Sequence, residues 1–320
     1  MALSTRLTER FRLAHPIISA PMAFAAGGRL ASAVSDAGAL GLLGGGYGDE
    51  AWLTRELDLV TPGRFGCGFI TWSLAKKPEL LDLALARKPV ALFLSFGDPM
   101  AFADLIKASG AALICQVQTR RDAERALDCG ADVIVAQGAD AGGHGQARGT
   151  FALVPEIADL IARRAPETLL CAAGGVGDGR GLAAALMLGA DGVLVGSRLW
   201  ASAEANVSPA MHAAALAATG DDTIRTQVMD LARKLDWPTQ YTARVLRNAF
   251  TDRWHGREAE LAQVADVEAE NYRAAWAAGD PQRSNTFVGE VVGLIDRIQP
   301  AGDIIRAMVA DAKTRLGRSA

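Results

Sequence analysis

The chain has 320 residues, 50% of them hydrophobic and 22% charged, with a formal net charge of −3. That composition supplies a sizeable core and excludes a disordered chain. It also lacks a basic field, so neither nucleic acid nor an anionic membrane surface is an expected partner.

From residue 16 to about 199, short apolar runs alternate with Ala/Leu-rich helical stretches. "PIISA" precedes "GRLASAVSDAG", "LGLLGG" precedes "DEAWLTRELDLV", and "FGCGFIT" precedes "KPELLDLALARK". "VALFLSF" then leads into "PMAFADLIKASG", "ALICQV" into "TRRDAERALDCG", and "DVIVAQ" through a glycine loop into "VPEIADLIARRA". "TLLCAAGG" leads into "DGRGLAAALMLG", and "DGVLVGS" closes the series. The eight runs are continuously apolar, the pattern of parallel strands buried on both faces. Eight βα repeats predict an α/β fold, a closed (β/α)₈ TIM barrel spanning residues 1–200. Residues 201–320 predict a helical subdomain packed on the barrel, its last helices returning to it. There "TIRTQVMDLARKL", "TARVLRNAF", "EAELAQVADVEAENYRAAWAAG", "FVGEVVGLIDRI" and "AGDIIRAMVADAKTRL" all read as helices.

The N-terminal "MALSTRLTERFRLAHPII" lacks the apolar core of a signal peptide, and no apolar run reaches the ~20 residues that span a bilayer. Cys67, Cys115, Cys129 and Cys171 form no C-x-x-C pair, so they read as buried thiols of a cytoplasmic protein.

In such a barrel the chemistry lies at the C-terminal ends of the strands. The loops after the seventh and eighth runs, "AAGGVGDG" and "VGSRL", suit a phosphate: Gly174, Gly175 and Gly196 allow close main-chain approach, and Ser197 adds a hydroxyl. Either loop alone would read as a tight turn. After the sixth run, "QGADAGGHGQARGT" places His144 among glycines at the barrel mouth, one strand before that cradle. An imidazole there is the best acid/base candidate in the chain. His15, His212 and His255 have no comparable setting, and Asp140 reads as a turn former or a second carboxylate. No metal-ligand motif, no paired carboxylates and no G-x-S-x-G elbow appear, which points to a phosphate-bearing organic cofactor. Phe24, Tyr47, Trp72 and Phe96 follow strand ends and are pocket or core residues with equal weight. "LDWPTQYTARVLRN" is either a cover for the site or a surface helix.

Taken together, "HPIISAPMA", "QVQTRRDAERALDCGADVIVAQGADAGGHG" and "AAGGVGDGRGLAAALMLGADGVLVGSRLWAS" resemble the nitronate monooxygenase family, formerly the 2-nitropropane dioxygenases. "ARVLRNAFTDRW" and "GEVVGLIDRIQPAGDIIRAMV" are similar too, so the likeness spans nearly the whole chain. The resemblance implies FMN as cofactor, with the main chain of Ala20 and Met22 beside the flavin ring. It implies cofactor contacts from Gly142 and Gly143, and a phosphate site from Gly174, Gly175, Gly196 and Ser197. Gln116 matches a polar group near the flavin, and His144 matches the catalytic histidine. "GFITW" departs from the family's "G-V-N" turn, so an asparagine facing FMN is missing and Thr71 stands nearby instead.

The implied reaction converts alkyl nitronates, or nitroalkanes after α-proton removal by His144, with O₂ into carbonyl compounds and nitrite. The rival readings are an FMN-dependent enoyl-thioester reductase using NAD(P)H, a non-catalytic flavin-binding barrel and a flavin-free phosphate-binding isomerase. The sequence leaves the substrate and the oligomeric state open, a homodimer being one option.

Overall fold

Each of the eight apolar runs forms a strand in the computed structural model, which describes residues 3–62 and 64–317. The ends of the N-terminal stretch and of the last segment, residues 1–2 and 318–320, lie outside it. The barrel strands are β1 (Ile17–Ser19), β2 (Gly41–Gly44), β3 (Phe65–Ile70), β4 (Ala91–Ser95), β5 (Ala112–Val117) and β6 (Val133–Gln137), followed by β8 (Leu169–Ala173) and β9 (Gly192–Val195). Three further strands lie over the barrel mouth: β7 (Gly143–Gly145), β10 (Thr223–Thr226) and β11 (Thr242–Leu246).

The barrel strands pair in parallel in the order β1-β9-β8-β6-β5-β4-β3-β2. Ser19 N–H donates to Leu40 O (2.9 Å) and Leu40 N–H to Ile17 O (3.0 Å), which closes the sheet on itself as a TIM barrel. The unbroken apolar texture of the runs now has its cause. Ile18, Leu42, Phe93, Ile114, Val135 and Cys171 fill the barrel interior. Their alternating neighbours Ile17, Leu43, Leu92, Leu113, Ile134 and Leu170 pack outward against the helices. The final helix, Ala301–Gly317, packs against the helices Gly179–Met187 and Gly28–Asp36, and buries Ile304, Ile305, Met308 and Val309 in that same outer core.

Several segments expected as helices differ. "TIRT" and "TARVL" are strands: β11 pairs antiparallel with both β10 and β7, matching Ala243 to His144 and Arg225 to Arg244. Along β11 burial alternates with period two, Ala243 and Val245 inward and Thr242 and Arg244 outward. Helix-favouring Ala, Arg and Leu mask that period in the sequence. Only the later parts of the two segments are helical, Val228–Arg233 and Ala249–Trp254. "EAELAQVADVEAENYRAAWAAG" breaks at Val264 into Glu258–Gln263 and Ala265–Ala278. "FVGEVVGLIDRI" holds only a 3₁₀ turn, Glu290–Leu294. Its Gly289 lies so close to the glycine loop that a Cβ would sit 2.5 Å from Asp140 O.

Candidate active site

His144 sits in a strand rather than a free loop. β7 holds it, and two guanidinium groups of the neighbouring strands clamp the loop behind it: Arg225 Nη1 and Arg244 Nε both donate to Ala139 O, at 3.3 and 3.1 Å. Burial and the nearby Arg244 push Arg225 down to about 10, so it keeps its charge at neutral pH.

β10 leads into the helix Val228–Arg233, and this path delivers Asp230 to the histidine. His144 Nε2 lies 2.8 Å from Asp230 Oδ2, and the two residues are only 5% and 3% exposed. Burial pushes the imidazole below its ordinary 6.5, and the Asp230 contact opposes this only in part. The ring is therefore neutral at neutral pH, and the contact is a hydrogen bond to a carboxylate rather than a full ion pair. A carboxylate only accepts, so Nε2 carries the proton and Nδ1 the lone pair. Among the described residues, the only side-chain hydrogen bond of His144 is this one through Nε2, and none engages Nδ1. Arg233 places Nη1 3.8 Å from Asp230 Oδ1 and balances the buried charge.

Trp237 fixes the imidazole plane. Its ring stacks on His144 with centroids 3.4 Å apart and planes 7° from parallel. Phe96, Tyr241, Trp72 and Tyr47 surround the indole at 5.1, 6.1, 5.3 and 6.1 Å. Phe96 holds φ at +60°, a conformation bulky side chains avoid, and this turns its ring toward Trp237 and His144. "LDWPTQYTARVLRN" is thus a cover for the site. Of the four strand-end aromatics, Tyr47 and Phe96 line the cavity below; Phe24 and Trp72 brace Tyr47 from outside it.

That cavity has a volume of about 320 Å³, and all ten residues singled out in the sequence line it: Ala20, Met22, Gln116, Gly142, Gly143, His144, Gly174, Gly175, Gly196 and Ser197. Their local roles differ. Ala20 N–H already donates to Val195 O and Met22 N–H to Ala20 O, so these residues offer the cavity an apolar floor. Gly142 is needed for packing, because a Cβ there would lie 2.5 Å from Val288 C. Gly143 and Gly175 hold φ at +72° and +76°; a Cβ at Gly143 would have nothing within 4 Å, and one at Gly175 would lie 3.7 Å from Asp140 Cβ. Ser197 Oγ accepts from Gly289 N (2.8 Å), which leaves its proton to donate. Asp140 also lines the cavity, but Thr150 N and Oγ1 both donate to its Oδ2, at 3.1 and 2.5 Å. It ties the glycine loop to the start of the helix Thr150–Arg164.

The sequence reading missed Asp230, Trp237 and Gln137. Gln116 Nε2 and Gln118 Nε2 both donate to Gln137 Oε1, at 3.1 and 2.8 Å, which leaves the Gln137 amide nitrogen as a cavity donor. Thr71 is buried outside the cavity lining. Asp230 carried no signal, since an acid in "VMDLARKL" reads as the wet face of a helix.

Fold and site together define a (β/α)₈-barrel enzyme with a neutral, carboxylate-held imidazole above a glycine-lined, apolar cavity. The family described as Nitronate monooxygenase matches residues 4–61 and 75–311. A nitronate monooxygenase of Neurospora crassa is 33% identical, covering 94% of this chain and 89% of its own. Nitronate monooxygenase npaC of Metarhizium robertsii is 34% identical, covering 91% and 88%. The structure of FabK from Thermotoga maritima superposes with a TM-score of 0.87 at 30% identity, covering 99% of each chain. The chain belongs to the nitronate monooxygenase family and is an oxidoreductase. Among the described residues no helix is long and apolar enough to cross a membrane.

Proposed function

We propose that the protein is an FMN-dependent nitronate monooxygenase that oxidises alkyl nitronates, and nitroalkanes, with O₂ to carbonyl compounds and nitrite. The observation that carries this reading is a neutral imidazole with a free Nδ1, held by Asp230 and Trp237 over the cavity.

The residues present fit the cofactor. Gly143 leaves open space where a side chain would stand, Ser197 keeps a donor, and the floor from Ala20 to Met22 is apolar. Gly174, Gly175, Gly196 and Ser197 would hold the FMN phosphate, with Gln137 and Gln116 at the ring. Bound there, the flavin supplies the redox chemistry with oxygen. The chain supplies the proton transfer. With a neutral nitroalkane, His144 Nδ1 takes the α-proton, and Asp230 stabilises the imidazolium that forms. With a nitronate that step is already done. Tyr47, Phe96, Trp237 and Phe287 exclude water around the alkyl part.

Asp230 acts here as a positioning residue. Asp230→Asn is expected to cut kcat on a nitroalkane by on the order of a hundredfold with little change in KM, because an amide N–H turned toward Nε2 would force the proton onto Nδ1. Removing the negative charge also destabilises the imidazolium, so any residual pH limb moves to lower pH. An unchanged kcat and limb would show that Asp230 does not orient the base.

The second reading, supported by the likeness to FabK, is an FMN-dependent enoyl-thioester reductase using NAD(P)H. Two measurements separate them. Nitrite release and oxygen uptake with propyl-1-nitronate are expected, and anaerobic NADH or NADPH should leave the flavin oxidised. Rapid bleaching of the flavin without nitrite from any nitronate would favour the reductase.

A further inference from the structure

We propose that the side-chain amide of Asn285 is the donor that receives the oxygens of the substrate's nitro or nitronate group, and so selects compact oxyanion substrates. The inference rests on the nitronate reading above. It starts from a mismatch in hydrogen bonding. Buried donors in native proteins are nearly always paired, and leaving one unpaired carries a desolvation penalty. Among the described residues, the buried side-chain polar atoms without a partner include two on cavity-lining residues, Trp237 Nε1 and Asn285 Nδ2. Trp237 Nε1 has the Tyr47 hydroxyl beside it as an acceptor. Asn285 has no such account: it is 2% exposed and its Nδ2 donates to nothing.

Its orientation is set. Tyr272 O–H donates to Asn285 Oδ1, and Tyr272 is itself buried, so the NH₂ end is the one left over. Its position is set as well. Thr286 O accepts from Leu246 N (3.0 Å) on β11, while Asn285 and Phe287 on either side both line the cavity. Phe287 lies 5.9 Å from the His144 ring, and Asn285, two residues before it, lines the same cavity. The proposed phosphate corner is built from other residues, Gly175, Gly196 and Ser197. Asp140 is the single acidic residue lining the cavity, and its Oδ2 is held by Thr150 N and Oγ1. An amide N–H suits a nitronate oxygen, which accepts a charge-assisted hydrogen bond.

The test uses FMN-loaded protein and the Asn285→Asp variant, which keeps the shape and still accepts from Tyr272 but replaces the donor with an acceptor. The KM for propyl-1-nitronate and the Kd for nitrate, an inert planar oxyanion read by the flavin difference spectrum, should both rise roughly 10- to 100-fold. FMN affinity should stay within about twofold of the parent, and kcat should change less than KM. Tyr272→Phe, which only releases the amide's other end, should give a smaller rise in both. Unchanged KM and nitrate affinity in Asn285→Asp would overturn the proposal. So would a parallel loss of FMN affinity, which would assign the donor to the flavin, or a fall in Tm as the sole effect. A parent enzyme that binds nitrate through Asn285 yet releases no nitrite would instead sink the reaction and leave the oxyanion contact standing.

Discussion

Replacing His144 with Ala is expected to lower turnover of a neutral nitroalkane by roughly 10²- to 10⁴-fold, the range for loss of a general base, while nitronate turnover falls by about tenfold at most. The difference arises because only the neutral substrate still carries the α-proton that Nδ1 removes. The pH dependence has a definite sign. A base works deprotonated, and burial holds His144 below its ordinary 6.5. For the nitroalkane, kcat/KM should therefore climb with pH along a limb below 6.5 and be level through the neutral range; the nitronate should lack that limb. Stability follows the same group. The unfolded chain takes up the proton near 6.5 and the folded chain only at lower pH, so the unfolded state binds more protons in that window. Stability should fall as pH drops from 6.5 through the folded value, and this contribution should vanish in His144→Ala. Paired steady-state assays on both substrates, with chemical denaturation at several pH values, check it. Equal losses on the two substrates would rule out the base role.

Placing a carboxylate at the phosphate corner should have the other large effect. Ser197→Asp keeps an acceptor for Gly289 N, which now donates to Ser197 Oγ at 2.8 Å, so the corner can still fold. It also sets a negative charge at the corner, beside Gly175 and Gly196, proposed to hold the phosphate. FMN affinity is expected to fall on the order of a hundredfold or more, since like charges oppose each other in a poorly solvated site. Riboflavin, which lacks the phosphate, should lose far less. Fluorescence titration with both flavins reads the difference directly. Equal affinity for FMN in the variant and its parent would remove the corner from the cofactor site.

Much of this architecture was legible because parallel barrel strands bury both faces. Ile17 and Ile18, or Leu42 and Leu43, are adjacent in sequence and point into different cores, so their runs carry no polar interruption. The helix stops at Gly38, Gly110, Gly130 and Gly189 were equally plain, and all four adopt positive φ. The candidate site residues were legible for a related reason: each sits at a strand end or in a glycine loop, where barrel topology fixes which way the chain faces. The cover was not legible. β10 and β11 are short, and β11 carries helix-favouring Ala, Arg and Leu, so their state depends on β11 pairing with β10 and with β7, about a hundred residues away in the chain.

By itself, then, the amino-acid order determined a closed barrel, the glycine corner and a histidine at the mouth, because local periodicity and strand-end position encode all three. Only tertiary structure decided what that histidine can do. Asp230 selects its tautomer from 86 residues away, Trp237 holds its plane, and Asn285 is left with an unspent donor in the same cavity. Contacts of this kind have no local signature, since they exist only once β7 and β11 have paired and brought the later chain over the barrel.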